Sequence, residues 1–325
     1  MSGQWRPPGD GAVDRLIRRL PMGLFWPCRA AAVRLPRGNP IRSAAVLTLK
    51  RVARAWRHRL AERLTEIRPL DAPRFSFAPS DSMVMEAVHW FGAEGYEGRV
   101  GDVWAFLCRE AGSVLEIGGN VGFFTVLGGA ACRGRYTVVE PVPEVAAVLR
   151  ANLARNGLAK VEVLEAAAIP GPVARDVVLN IPDEGRAAPV GAHLTEGVEV
   201  SGRGTMREAR VPGVPIADLA AGRALIKIDA EGIEAELLAV LRPMLVASRP
   251  DLIVEVLPEA ERLAALLAGL ARKAGYTIHV LPEYGSDTIA RVAPEDFDAA
   301  TPGRYRSKDV LLSVRRTIPR EKHLR

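Results

Sequence analysis

Val114-Leu115-Glu116-Ile117-Gly118-Gly119-Asn120-Val121-Gly122-Phe123-Phe124-Thr125 is a β-rich run, a glycine-rich turn and the start of an apolar helical pattern. A strand feeding a helix through glycines brings bare backbone N–H groups to the helix N-terminus, where a ligand can approach closely. Two residues indicate the ligand class. The dinucleotide fingerprint G-x-G-x-x-G asks for glycine where Asn120 stands, and that side chain crowds a pyrophosphate. Glu116 opens the turn with a carboxylate. A phosphate charge about 5 Å away loses roughly 3 kcal/mol at an effective dielectric of about 20, and a cationic ligand gains a similar amount. S-adenosylmethionine, with a sulfonium and an ammonium against one carboxylate, fits that sign.

Working outward, Glu140 ends the next β-rich run, 18 residues after Gly122. α/β nucleotide folds place an acid there to accept hydrogen bonds from both ribose hydroxyls. Ala166 and Ala167, after the third run, are either small residues that let adenine lie against backbone or ordinary core alanines. Strand patterns at 113–117, 136–140, 161–167, 224–228, 251–256, 276–281 and 309–314 alternate with helical patterns, the clearest at 143–156 and 259–274. Asn156-Gly157 and Gly275 supply the C-terminal stops. The alternation predicts an α/β fold, a mostly parallel sheet with helices on both faces. Residues 171–215 break the rhythm with five prolines, seven glycines and one convincing strand at 177–181. This insertion reads as a substrate lid or as a surface loop.

The chain has 325 residues, 48% apolar and 25% charged, enough for one sizeable core and at most two domains. Cys28, Cys108 and Cys132 are scattered, outside any C-x-x-C pair or histidine cluster, which argues against a disulfide scaffold or structural zinc and fits a reducing, cytoplasmic setting. Even the most apolar segment, 113–132, carries Glu116, Asn120 and five glycines, so no spanning helix is expected. The net charge of +6 is unevenly spread: residues 1–70 hold 15 Lys/Arg against 4 Asp/Glu, and the rest is mildly acidic. This basic head, helical over 43–67 by its apolar spacing, reads either as a solvated extension or as a peripheral contact with an anionic membrane surface. No RNA-binding aromatic signature or finger spacing accompanies it, so nucleic acid is not the expected partner. Oligomeric state is not encoded in any pattern found.

Four blocks resemble the FkbM family of S-adenosylmethionine-dependent methyltransferases. They are Gly95-Tyr96-Glu97, the run from Glu116 to Gly122, Glu140-Pro141 with Asn152-Leu153 and Asn156-Gly157, and Lys227-Ile228-Asp229-Ala230-Glu231-Gly232-Ile233-Glu234. The last, close to the family's K-I-D-x-E-G-x-E, is the most specific. The family's first block starts with Asp and reads G-A-N, against Glu116 and G-G-N here. The resemblance covers roughly residues 81–314 and implies a seven-stranded class I methyltransferase fold with an antiparallel last strand; the expected division is a basic, partly helical extension at 1–70 and a methyltransferase domain at 71–325. The resemblance also implies methyl transfer to a hydroxyl of a sugar, lipid-linked glycan or secondary metabolite. The cofactor set is then Glu97, Glu116, Gly118, Gly119, Asn120, Gly122, Phe124, Thr125, Glu140, Pro141, Ala166 and Ala167.

An alcohol is a poor nucleophile until its proton leaves, so a general base or a divalent ion is expected beside the acceptor. Asp229, supported by Lys227, reads as base or acceptor-orienting group. In a second reading Asp229 and Glu231 contribute oxygen ligands to Mg²⁺. In a third, Glu231 and Glu234 complement a helix N-terminus and Asp229 holds backbone. His193, in the insertion, is a further base candidate or a solvated loop histidine. Glu255 reads as a structural inward acid, and His89 and Trp90 as core or rim. Two rival functions stand beside methyl transfer: an NAD(P)-dependent oxidoreductase, and a non-catalytic cofactor-binding protein recruited to an anionic surface.

Overall fold

The computed structural model describes residues 31, 35, 65–69, 71–183, 189, 191–194, 205–283, 288–315 and 318. Most of the basic head, Cys28 and the start of the helix expected at 43–67 therefore lie outside the described residues. The end of that expected helix, Thr65 to Ile67, is bend and bridge instead, with Ile67 pairing antiparallel to Phe77 and both side chains in the core.

In chain order the elements are α1 (Met83–Phe91), α2 (Val100–Glu110), β1 (Ser113–Ile117), α3 (Phe123–Ala131), β2 (Arg135–Val139), α4 (Pro143–Arg155) and β3 (Val161–Leu164). There follow β4 (Ala167–Ile169), β5 (Arg175–Pro182), β6 (His193–Leu194), β7 (Met206–Pro215), α5 (Ile216–Ala220) and β8 (Leu225–Ile228). The rest are α6 (Glu234–Ser248), β9 (Asp251–Glu255), α7 (Glu261–Ala274), β10 (Thr277–Leu281), β11 (Ala290–Val292), α8 (Thr301–Arg304) and β12 (Asp309–Ser313).

Strands β1, β8 and β9 are buried on both faces, as central strands of a helix-covered parallel sheet are, and are apolar apart from Ser113 and the buried Glu116, Lys227, Asp251 and Glu255. Among the described residues this sheet has the order β11-β10-β12-β9-β8-β1-β2-β3. β1 is parallel to β2 and β8, and β12 runs antiparallel between β9 and β10. Leaving out β11, this is the strand order and single reversal of a class I methyltransferase sheet. The expected count of seven is corrected to eight, because Ala290–Val292 adds an antiparallel edge strand to β10. Three residues were too short a run to register as a strand.

The insertion is the larger correction. Instead of one strand in irregular chain, it builds a second sheet of order β4-β7-β5-β6, in which β5 and β7 pair antiparallel over eight residues. The expected strand at 161–167 ends early, and its last residue opens β4 in this second sheet. β7 was illegible because it buries only part of one face and carries Pro212, Gly213 and Pro215. Gly213 is there for close approach: a Cβ would lie 2.7 Å from the Arg175 carbonyl on β5.

Helix boundaries follow local chemistry. Pro143 sits at the first turn of α4, and Gly275, left-handed at φ 73°, closes α7 by donating to the Ala271 carbonyl. Cys108 and Cys132 are buried free thiols, and no helix among the described residues is long and apolar enough to cross a membrane.

Candidate active site

The site lies where β1, β2 and β8 end. The Gly118 and Gly119 N–H groups both donate to the Val139 carbonyl, at 2.9 and 3.1 Å, folding the turn over the end of β2. Gly118 has φ 81°, and a Cβ there would stand 1.9 Å from the Asp229 carbonyl oxygen. Only glycine lets the β1 turn pass the β8 turn so closely. Asn120 is also left-handed, at φ 48°, a conformation asparagine tolerates, and its side chain accepts from the Val121 N–H at 2.7 Å. Gly122, at φ 86°, caps the start of α3, while Gly119 packs against Val138 and Leu149.

Beside the turn opens a cleft enclosing about 850 Å³ counted to its mouth. Of the residues expected from sequence, Gly118, Asn120, Glu140, Pro141, Ala167, His193, Asp229 and Glu231 line it. Gly119, Gly122, Phe124, Thr125 and Ala166 shape it from behind without forming its wall. Glu116 is fully buried under the turn and takes a hydrogen bond from the Tyr136 hydroxyl. Burial pushes its carboxyl up to about 7, against the pull of Lys227 and Tyr136. The acid that opens the turn therefore acts on the cleft from inside the core, and the wall carboxylates are Glu140, Asp229 and Glu231.

Glu140 accepts the Asn120 N–H at 2.8 Å on one oxygen and the Val142 N–H at 3.0 Å on the other. Each oxygen keeps a lone pair, so two donors from the cleft can still be received. Burial pushes this carboxyl up to about 7 despite the two backbone donors, and the charges of Asp229 and Glu116 add to the rise. A ligand bringing two hydroxyl donors and a positive charge offsets both causes. Among the described residues, wall carboxylates at Glu140, Asp229 and Glu231 outnumber the one wall lysine, Lys308. By donor set and sign the residues fit S-adenosylmethionine.

The Lys-Ile-Asp run works by strand alternation, which puts Lys227 and Asp229 on one side and Ile228 on the other. Lys227 is 1% exposed, donates to Asp229 at 3.0 Å and sits 4.8 Å from the Phe124 ring centroid. Asp229 keeps 22% of its side chain exposed to the cleft. Burial raises its carboxyl, but Lys227 and Lys308 outweigh that and hold it below its ordinary value, so it is ionised at neutral pH. Glu231 and Gly232 take the left-handed corner, at φ 53° and 114°. Glu234 folds back to accept the Ala230 and Gly232 N–H groups at 2.8 and 3.0 Å, which makes it a helix cap.

His193, on β6, is buried, and its Nδ1 lies 3.3 Å from the Gly191 carbonyl. A carbonyl only accepts, so the contact makes Nδ1 the donor, which leaves Nε2 as the nitrogen that can face an acceptor's proton. The insertion thus delivers a histidine to the cleft rather than a solvated one. Glu97 is buried at φ 48° behind the cleft and binds Lys308 at 3.3 Å. Lys308, which also pairs with Glu255, and Tyr96, on the cleft wall, are the residues that sequence reasoning missed as site residues. Tyr96 stood inside a recognised block, whereas Lys308, before the last strand, carries no local signal. His89 is buried, and the Trp90 side chain lies outside what is described. Among the described residues no three or more His, Cys, Asp or Glu come together to hold a metal ion. Asp229 already faces the Lys227 ammonium, so the Asp229–Glu231 pair gains no support as a Mg²⁺ site.

No curated protein matches the chain by sequence. Among solved structures it is similar to a cofactor-bound protein from MTB, at 18% identity over 67% of this chain and 81% of that one, with a TM-score of 0.36. It is similar to an O-methyltransferase from Bacillus cereus in complex with SAH, at 15% identity over 66% and 80%, TM-score 0.36. It is also similar to methyltransferase FkbM from Methylobacillus flagellatus KT, at 15% identity over 79% and 57%, TM-score 0.37. Residues 116–278 match the family model of the methyltransferase FkbM domain. That match spans half of the chain and takes in the glycine turn, Glu140, His193 and the Lys227–Glu234 block, and the chain belongs to the FkbM family of methyltransferases.

Proposed function

We propose that the protein is an O-methyltransferase acting on a hydroxyl of a sugar, glycan, lipid-linked or secondary-metabolite acceptor. The observation that carries this reading is that Asp229, held by Lys227, and His193, whose Nδ1 faces the Gly191 carbonyl, both line the one cleft. S-adenosylmethionine supplies an electrophilic methyl group when bound. Glu140 receives the ribose hydroxyls, and the carboxylates of the wall favour the ligand's positive charges.

Asp229 accepts a hydrogen bond from the acceptor hydroxyl and aims its oxygen lone pair. A carboxyl held below its ordinary value is a weak store for a proton, so the hydroxyl proton passes to Nε2 of His193. An oxygen–carbon bond forms as the sulfur–carbon bond breaks, and alignment of the two reactants supplies most of the acceleration. Lys227 is a positioning residue that keeps Asp229 charged and pointed into the cleft.

The test is incubation of the protein and methyl-labelled S-adenosylmethionine with a small-molecule extract. The expected product gains one methylene in mass and carries the labelled carbon on oxygen. Label on nitrogen or carbon overturns the hydroxyl assignment. Absence of S-adenosylhomocysteine binding by calorimetry overturns the cofactor site.

A further inference from the structure

At the opposite ends of the strands, where β1, β2 and β3 begin, lies a second basin of about 1280 Å³ counted to its mouth. Its cations are Arg68, Arg74, Arg109, Arg133, Arg155 and Lys160, and among the described residues no Asp or Glu lines it. Arg68 pairs with Glu66 at 2.8 Å, and Lys160 donates to the Cys132 carbonyl. Among the described residues, Arg74, Arg109 and Arg133 have no carboxylate partner, while the charge of Arg155 is felt by Glu66 at the basin's side. All four are exposed. The ends of α2, α3 and α4 converge here, and each helix C-terminus contributes about −0.5 charge. Three such ends offset about a quarter of the six cations. Helix complementarity therefore does not account for the excess.

We propose that this basin is a docking surface for the phosphate headgroups of an anionic membrane. The sign of the partner follows from the charge. The sequence leading into the basin has the same sign, since residues 1–70, Arg68 of the basin among them, hold 15 Lys/Arg against 4 Asp/Glu. By sequence that stretch interleaves Leu16, Ile17, Leu20, Phe25 and Trp26 with Arg15, Arg18 and Arg19, a composition suited to the headgroup boundary. A membrane is favoured over single-stranded nucleic acid because the basin presents no stacking platform. Its one aromatic, Phe75, is buried, and the Arg74 guanidinium lies 4.7 Å from its ring centroid. Because the basin and the cleft occupy opposite strand ends, docking there leaves the cleft open to water.

The experiment is sedimentation of the full chain with phosphatidylcholine vesicles, with and without phosphatidylglycerol, and a parallel titration with a single-stranded RNA oligonucleotide. The full chain is expected to pellet with the anionic vesicles only, and less at high salt. A triple variant, Arg109→Ala, Arg133→Ala and Arg155→Ala, is expected to bind at least about tenfold more weakly. The triple lysine variant, which keeps the charge, is expected to bind as wild type does. Unchanged S-adenosylhomocysteine binding checks that each variant is folded. Equal pelleting of the wild type and the alanine variant overturns the proposal, as does no pelleting at all. RNA binding that the alanine variant loses, without vesicle binding, assigns the basin to nucleic acid and overturns it too.

Discussion

Replacing Gly118 with alanine tests whether the β1 turn is locked against the β8 turn. The added Cβ falls 1.9 Å from the Asp229 carbonyl oxygen, a backbone atom, and the position has φ 81°. Holding a non-glycine residue there costs about 1–2 kcal/mol. Relieving the overlap separates the two turns and weakens the 3.1 Å hydrogen bond from the Asp229 N–H to the Ile117 carbonyl, worth about 1 kcal/mol. The sum is about 2–3 kcal/mol, a fall of about 4–12 °C in Tm for a domain of this size. Gly157→Ala is the control, because it too is left-handed, at φ 66°, but its Cβ would meet nothing within 4 Å. It carries the conformational cost alone, about 1–2 kcal/mol. Differential scanning fluorimetry reads both variants, and calorimetry with S-adenosylhomocysteine reads the cleft. Gly118→Ala should also lose cofactor affinity, since Asn120 and Asp229 move with the turns, while Gly157→Ala should keep it. Equal Tm values for the two variants, or wild-type affinity in Gly118→Ala, refute the reasoning.

Glu140→Ala removes a carboxylate placed to receive two hydroxyls and should weaken S-adenosylhomocysteine binding by about tenfold or more, read by calorimetry; unchanged affinity removes the ribose assignment. Asp229→Asn should keep that affinity within about threefold while turnover falls by about 10² or more, since the group acts on the acceptor; an equal loss in both would make Asp229 a cofactor residue. His193→Ala should lower turnover by about 10² or more while S-adenosylhomocysteine affinity stays within about threefold, since the ring serves the acceptor's proton; wild-type turnover assigns the proton elsewhere. Glu116 is pushed up to about 7, above its unfolded value, so the stability it lends is complete below about pH 4.5 and is lost as pH rises through about 7. Glu116→Gln should therefore gain on wild type by up to roughly 3 kcal/mol between pH 5 and pH 8, measured by urea unfolding across that range; parallel stability curves would contradict it.

The sequence disclosed the parts of the fold whose cause is local. Central strands buried on both faces must be apolar, so 113–117, 224–228 and 251–256 stood out, and Gly275 announced the end of α7 because a left-handed cap favours glycine. The cofactor turn was legible for the same reason: Gly118 and Asn120 hold backbone conformations that few residues accept. What escaped depends on partners distant in the chain. β7 is a strand only because β5 pairs with it, and its own prolines and half-exposed pattern argue for a loop. Lys308 reads as one more lysine until the antiparallel insertion of β12 between β9 and β10 brings it to Glu97, 211 residues earlier, and to Glu255. Glu116 shows the converse limit. Its charge indicated the correct sign of ligand, yet the side chain alternates into the core, where Tyr136 binds it. The negative wall is instead built by Glu140, Asp229 and Glu231, which come from two different strand ends. A carboxylate's place along a strand is readable from the residue order, whereas the face it serves is fixed only once the neighbouring strands set the cleft.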